Sequence, residues 1–224
     1  MQPLVIGTSP PMPIATKSEA PAAPADDTAI ATNSALAIPT RDPRAKVPAR
    51  GRALLVTELQ GLETLFASTA KAAPARLQIV RRLADTYAEL SRSTDSNAQV
   101  VSVAHKKALQ HYELITSEYA QYPQIDEAYY YAALEYELAG DARNARRSYY
   151  ELIKRAPSSK LTPYAYFAFG ELFFAESATD PSKLDLAEQA YAEVLKYPPP
   201  TNAIHGEAKK RMAEVRSRRS AARP

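Results

Sequence analysis

The sequence predicts an all-α protein in which antiparallel helix pairs follow one another as a solenoid, and three observations support this prediction. Apolar residues recur at helical spacing through most of the chain after residue 51. Glycine, proline and short polar stretches interrupt that pattern at intervals, which divides it into pairs of helices. Finally, one arrangement of small and aromatic residues occurs three times, which indicates an internal repeat.

The composition separates residues 1–50 from the rest of the chain. Half of the 18 prolines precede residue 51, whereas all 14 tyrosines follow residue 86. A segment rich in Ala, Pro, Ser and Thr buries too little apolar surface to offset the entropy of ordering. We therefore expect a disordered arm or linker over 1–50 and a helical body over 51–220. Alternatively, the apolar triplet Leu4-Val5-Ile6 makes the arm a docking segment that adds a strand or plugs a pocket on a partner.

The clearest helix pair lies between residues 126 and 159. Gly140 interrupts the helical pattern, and Asp141 can cap the following helix with its side chain. Pro157 ends the second helix. The two apolar stripes consist of Tyr129, Ala132, Ala133 and Tyr136, and of Ala145, Tyr149, Leu152 and Ile153.

These positions resemble the consensus of the tetratricopeptide repeat (TPR). Counted from Asp126, the small residue at the eighth place is Ala133, the aromatic at the eleventh is Tyr136, and the turn glycine at the fifteenth is Gly140. Tyr129 stands where the consensus has an early Trp. The resemblance implies a right-handed superhelix of about three repeats with a capping helix at each end.

The other elements are placed around this central repeat. Pro74 marks a helix start, and the polar stretch 91–97 is a loop longer than the usual turn. Thr162 is the expected N-cap of the third repeat, with Pro163 as its first helical residue. The boundaries are then 74–122, 126–159 and 163–199 for the repeats, and 51–70 and 203–219 for the caps.

The C-terminal part resembles the TPR subgroup of bacterial cell-envelope proteins, such as outer-membrane assembly lipoproteins and the periplasmic TolA-binding coordinator. The resemblance rests on a Tyr197-Pro198 pair at the end of a second helix and on Gly206-Glu207 in the next one. It implies the periplasm or the cell envelope. The sequence has no cysteine for a lipid anchor and its first residues lack a signal-peptide pattern, so a literal reading places the protein in the cytoplasm.

We find no pattern that indicates catalysis, a cofactor or a metal. The six glycines are scattered, which leaves no phosphate-binding loop. His105 and His111 are six residues apart on one helix and point about 120° away from each other. We expect both to be surface residues. The predicted partners are proteins; we expect no small-molecule substrate, no nucleic acid and no membrane span.

The resemblance also implies where a partner binds, because first helices of TPR pairs line the concave side. The floor should be acidic, with aromatic residues towards its C-terminal half. We expect Tyr130, Phe167 and Phe174 to be partly exposed there; alternatively, the two phenylalanines pack only against the C-terminal cap. The groove residues are Gln78, Arg81, Asp85, Glu89, Glu127, Tyr130, Leu134, Glu137, Tyr164, Phe167, Glu171 and Phe174.

One concentration of positive charge lies near the C-terminus, although the net charge is only +3. It forms either the polar side of a capping helix or a regulatory contact to a polyanion. No aromatic residue lies between these charges, so stacking on bases has no support. The α8 cations, as this cluster is called below, are Lys209, Lys210, Arg211, Arg216, Arg218 and Arg219.

Overall fold

The structure, a computed structural model, describes residues 42, 50–93, 97–199 and 202–221. These residues form eight α-helices and no strand, which confirms the all-α prediction. The helices are α1 Arg52–Ser68, α2 Ala75–Ser91, α3 Ala98–Glu118, α4 Ile125–Leu138, α5 Ala142–Arg155, α6 Thr162–Glu176, α7 Lys183–Leu195 and α8 His205–Ala221.

Each helix packs mainly against the helices that precede and follow it in the chain. The most extensive contacts are within the pairs α2–α3, α4–α5 and α6–α7, and the contacts between successive pairs are smaller. Helix α1 covers the first pair and α8 covers the last. The described chain is therefore a solenoid-like series of three helix pairs with one further helix at each end.

The turn of the central pair forms as the sequence predicts. Gly140 has a φ of 78°, in the left-handed region that glycine adopts without steric cost. Asp141 caps α5, because its side-chain oxygen accepts a hydrogen bond of 3.0 Å from the backbone N–H of Asn144. Both predictions are confirmed.

The start of the third pair differs from the prediction. Thr162 is buried and is the first residue of α6, so its expected role as N-cap is wrong. Its hydroxyl donates to the backbone oxygen of Ala156 at 2.9 Å instead of accepting from the helix. The chain turns tightly before the helix, where the Ser159 hydroxyl accepts from the backbone N–H of Leu161 at 3.0 Å.

A glycine occupies the eighth place of the third pair, where the other two pairs have Ala84 and Ala133. A methyl group on Gly170 would overlap the ring of Tyr191 from α7. The absence of a side chain at Gly170 therefore allows α6 and α7 to approach with the tyrosine ring between them.

The buried side chains form two clusters. The larger one extends from α1 to Ala190 of α7 and contains a series of contacting rings, with Tyr130 placed 5.6 Å from Tyr131 and 5.7 Å from Tyr149 between centroids. The smaller one joins α6, α7 and α8 through residues such as Phe167 and Val215. The C-terminal helix thus belongs to the hydrophobic core.

Most of the predicted arm, including Leu4-Val5-Ile6, lies outside the described residues. Within it, Asp42 is 3% exposed, and its carboxylate accepts a hydrogen bond of 3.1 Å from Arg92 at the end of α2. Arg50 donates its backbone N–H to Glu89 at 2.7 Å and contacts Glu58 of α1 at 2.6 Å. The chain is therefore anchored to the helical body at Asp42 and at Arg50.

No helix in the part of the chain that the structure describes is long and apolar enough to cross a membrane.

Candidate functional site

The groove residues lie on α2, α4 and α6, the first helices of the three pairs, and the structure links them from pair to pair. Arg81 of α2 contacts Asp85 one turn further on at 2.8 Å and Glu127 of α4 also at 2.8 Å. The ring of Tyr130 on α4 meets that of Tyr164 on α6, with 6.3 Å between centroids. Residues chosen from three helix pairs are thus linked, and the link from α4 to α6 passes through the buried ring of Tyr130.

Three aromatic groove residues are buried, which contradicts the expectation that they are partly exposed. Tyr130 is 0% exposed, Phe167 is 1% exposed and Phe174 is 5% exposed. Tyr130 is enclosed by the tyrosine rings of the larger core cluster. The two phenylalanines belong to the cluster that α6 forms with α7 and α8.

The C-terminal cap explains the burial of the phenylalanines. The guanidinium carbon of Arg218 on α8 lies 3.9 Å from the centroid of the Phe174 ring, and that of Arg211 lies 5.8 Å away. Phe167 contacts Tyr191 of α7 at 5.5 Å between centroids. Phe174 thus packs against the C-terminal cap as the alternative expects, whereas Phe167 packs against α7 within the cluster that α8 shares.

Glu137 and Glu171, two of the three acidic groove residues on α4 and α6, are buried because each accepts a hydrogen bond from a tyrosine. The Tyr149 hydroxyl donates to Glu137 at 2.6 Å, and the Tyr191 hydroxyl donates to Glu171 at 2.6 Å. In the first pair the Tyr112 hydroxyl donates to Asp85 at 2.7 Å. A tyrosine of each second helix therefore binds a carboxylate of its first helix, which satisfies groups that would be costly to bury alone.

Sequence reasoning assigned these carboxylates to a partner and missed their internal role. The available signal was that every second helix carries a tyrosine at the place equivalent to Tyr149, opposite a first helix that carries Asp or Glu. Two of the carboxylates also contact an arginine: Asp85 contacts Arg81, and Glu171 contacts Arg211 of α8 at 2.9 Å. Leu134 is fully buried in the larger core cluster.

The accessible part of the predicted groove is consequently smaller than expected. Gln78 is exposed and Tyr164 is half-buried, while the side chains of Asp85 and Glu127 are 37% and 42% exposed. Glu89 contacts Arg50; burial raises the pKa of Glu89, but the hydrogen bonds from Arg50 outweigh that rise and leave it below the usual value. The accessible groove is therefore defined by Gln78, Asp85, Glu127 and Tyr164.

Both internal histidines are enclosed, so the expectation that they are surface residues is wrong. His111 stacks on Tyr87 of α2 at 5.9 Å and meets Phe66 of α1 edge-on at 5.8 Å. Burial, and secondarily the charge of Lys107, lower the pKa of His111 to about 4. Nδ1 of His105 lies 2.6 Å from Oε2 of the buried Glu135.

Comparison with known proteins found no match. No protein-family model, curated protein or solved structure is similar to the chain at a significant level. Function is therefore argued from the geometry of this chain.

The α8 cations are engaged within the fold. Arg216 and Arg219 contact Glu188 of α7 at 2.8 Å and 2.7 Å. The hydrogen bond from Arg216 lowers the pKa of Glu188, burial acts in the opposite direction, and Arg219 adds to the lowering. Arg211 contacts Glu171, while Arg218 and Lys210 contact carboxylates of α8 itself. Among the described residues, Lys209 is the α8 cation with no ion pair.

The described residues contain no group of three or more His, Asp or Glu placed to hold a metal ion.

Proposed function

We propose that this chain is a TPR-type scaffold that binds a segment of another protein on the surface formed by α2, α4 and α6. The observation that supports the proposal is the connection of these three helices through the Arg81–Glu127 ion pair and the Tyr130–Tyr164 contact. A continuous face over several repeats is the surface that solenoid proteins use for extended partners. The resemblance of the C-terminal repeats suggests an assembly of the bacterial cell envelope as the setting.

The chemistry of the accessible groove defines the kind of partner segment. Asp85 and Glu127 present half-exposed carboxylates, and Arg81 between them is mostly covered. Tyr164 offers a half-buried ring on the neighbouring helix. A segment that carries Lys or Arg next to an apolar side chain matches this arrangement, because it pairs with the carboxylates and contacts the ring.

A second function, contact with a polyanion through the α8 cations, has less structural support. Carboxylates of α6, α7 and α8 contact five of these six side chains. Pairing of this kind lowers the positive potential that a polyanion would meet.

Affinity capture with matched charge variants tests the groove. Glu127→Lys reverses a half-exposed groove carboxylate, and Glu118→Lys makes the same charge change at an exposed position at the end of α3. Proteins bound by the unmodified chain and by Glu118→Lys should be lost with Glu127→Lys. The proposal fails if both variants retain the same proteins, or if both lose them.

A further inference from the structure

Helix α5 carries a row of cations on the face opposite its buried side. Arg143, Arg147, Tyr150 and Lys154 are spaced i, i+4, i+7 and i+11, so they form one stripe along the helix, here named the α5 stripe. The buried residues of α5 are Ala145, Tyr149 and Leu152, on the other side. All four members of the stripe are exposed, and Tyr150 is among the large side chains that the fold leaves accessible.

The cations of the α5 stripe have no carboxylate partner among the described residues, which distinguishes them from most other arginines of the chain. The neighbouring Arg146 contacts Glu176 of α6, and Arg155 contacts Glu151. Like charges one turn apart on a helix repel each other. The α5 stripe therefore leaves positive charge that the fold itself does not neutralise, and an anionic partner would relieve the repulsion.

A cleft of about 600 Å³ runs beside the stripe, between α3 and α5. Arg147 belongs to both, so the cleft and the stripe form one continuous surface. Burial raises the pKa of both Tyr129 and Tyr136, which line the cleft from α4. The lining combines Arg147 and Arg155 with two carboxylates that already have partners: Glu113 accepts a hydrogen bond from Tyr136, and Glu151 accepts one from Arg155.

We propose that the α5 stripe binds an acidic peptide segment of a partner protein along the rim of this cleft. The charge complementarity is direct: carboxylates of the segment pair with the exposed Arg143, Arg147 and Lys154. Tyr150, in the middle of the stripe, receives an apolar or aromatic side chain. This surface is separate from the accessible groove, so a scaffold with both would hold a basic segment on one and an acidic segment on the other.

The dimensions favour a peptide over a nucleic acid. The stripe extends over about 16 Å, from the rise of 1.5 Å per residue. Three cations on that length are fewer than the six to ten phosphate contacts, roughly, that give strong salt-dependent nucleic-acid binding.

Fluorescence anisotropy with the full chain tests the proposal. The probe is a labelled peptide of Glu-Glu-Phe repeats, and polyuridylate of equal charge is the competitor of the other class. We expect Arg147→Glu to weaken peptide binding by roughly tenfold or more, because it reverses the charge shared by stripe and cleft. Lys209→Glu is the matched control, since it makes the same charge change at an exposed cation on α8. It should change the affinity by less than about twofold.

Further arms make each outcome decisive. Tyr150→Ala should weaken peptide binding although it removes no charge, because the stripe loses its ring. Glu127→Lys in the accessible groove should leave peptide affinity unreduced. Equal losses with Arg147→Glu and Lys209→Glu would overturn the proposal in favour of nonspecific charge attraction. Tighter binding of polyuridylate than of the peptide would overturn it in favour of a nucleic acid. Circular dichroism of each variant verifies that the helices are retained, and Arg147→Gln serves if Arg147→Glu does not fold.

Discussion

The two ends of the solenoid are closed by different chemistry. At the N-terminal end, an uncharged histidine ring, His111, joins α3 to Tyr87 of α2 and Phe66 of α1. At the C-terminal end, Arg218 lies on the Phe174 ring, and Arg216 and Arg219 of α8 contact a carboxylate of α7. Both ends contain ion pairs, such as Arg82–Glu58 between α2 and α1, but the N-terminal end also depends on a side chain that must stay neutral.

The difference separates the conditions that weaken each end. Acid protonates His111 and then opposes its burial. The pKa of Glu188 is lowered below its usual value of 4.5, so the α8 ion pairs are retained at about pH 5, where an unfolded chain already binds a proton at His111. Salt is less selective, because it screens partly exposed ion pairs at both ends, such as Arg82–Glu58 and Arg216–Glu188, and leaves ring stacking intact.

The largest expected effect is at the C-terminal end. Phe167→Ala removes a side chain that is 1% exposed and should lower the free energy of unfolding by about 3–5 kcal/mol. Phe66→Ala, at the N-terminal end, removes a ring that is only partly buried and should cost less. Urea unfolding followed by circular dichroism measures both. If Phe167→Ala unfolds like the unmodified chain, its ring is not a core residue and the assignment to a partner-binding groove regains support.

A smaller effect is expected from glycines at the two ends. Gly170→Ala places a methyl group against the Tyr191 ring and should destabilise the protein by about 1–3 kcal/mol. Gly61→Ala in α1 meets nothing within 4 Å and should stabilise it by roughly 0.5–1 kcal/mol, since alanine favours a helix. Thermal melting of the two variants under one condition shows whether each substitution raises or lowers the melting temperature. Two changes of the same sign would mean that the close approach of α6 and α7 is absent.

The smallest effect is the pH dependence of the N-terminal end. The pKa of His111 falls from 6.5 to about 4 on folding, so the unfolded chain binds the extra proton between these values. The contribution of His111 to the free energy of unfolding is therefore fully present above the unfolded pKa and decreases as the pH is lowered towards 4. Between about pH 7 and about pH 5 we expect a loss of about 1–2 kcal/mol after allowance for solvent screening.

Replacement of the histidine isolates this contribution. His111→Phe keeps an aromatic ring between Phe66 and Tyr87 and should flatten the pH dependence measured by urea unfolding. His205→Gln, at the beginning of α8, is the control and should leave the slope unchanged. An unchanged slope in His111→Phe would assign the acid sensitivity to other groups.

Local features of the fold could be predicted from the sequence, because they depend on neighbouring residues. The turn at Gly140 and the cap at Asp141 follow from the conformational freedom of glycine and the hydrogen-bonding reach of aspartate. The starts of α2 after Pro74 and of α3 at Ala98 were likewise predictable from proline and from the polar loop. These signals require no knowledge of distant contacts.

Burial at the candidate site could not be predicted in the same way. Phe174 is covered by arginines about forty residues away in the chain, and the periodicity of α6 alone does not show which face α8 covers. His111 is enclosed by rings from two other helices, which its own helix does not reveal. The groove carboxylates looked available for a partner because their hydrogen bonds to tyrosine form between helices.

The packing of each helix against its neighbours in the chain has a consequence for how the molecule comes apart. When no helix is held by distant parts of the chain, opening can begin at either end and proceed inwards one pair at a time. Amide protons of α4 and α5 would then exchange with solvent most slowly, and those of α1 and α8 first. Short-range contacts of this kind also make folding fast, because little loop entropy is lost before each pair forms.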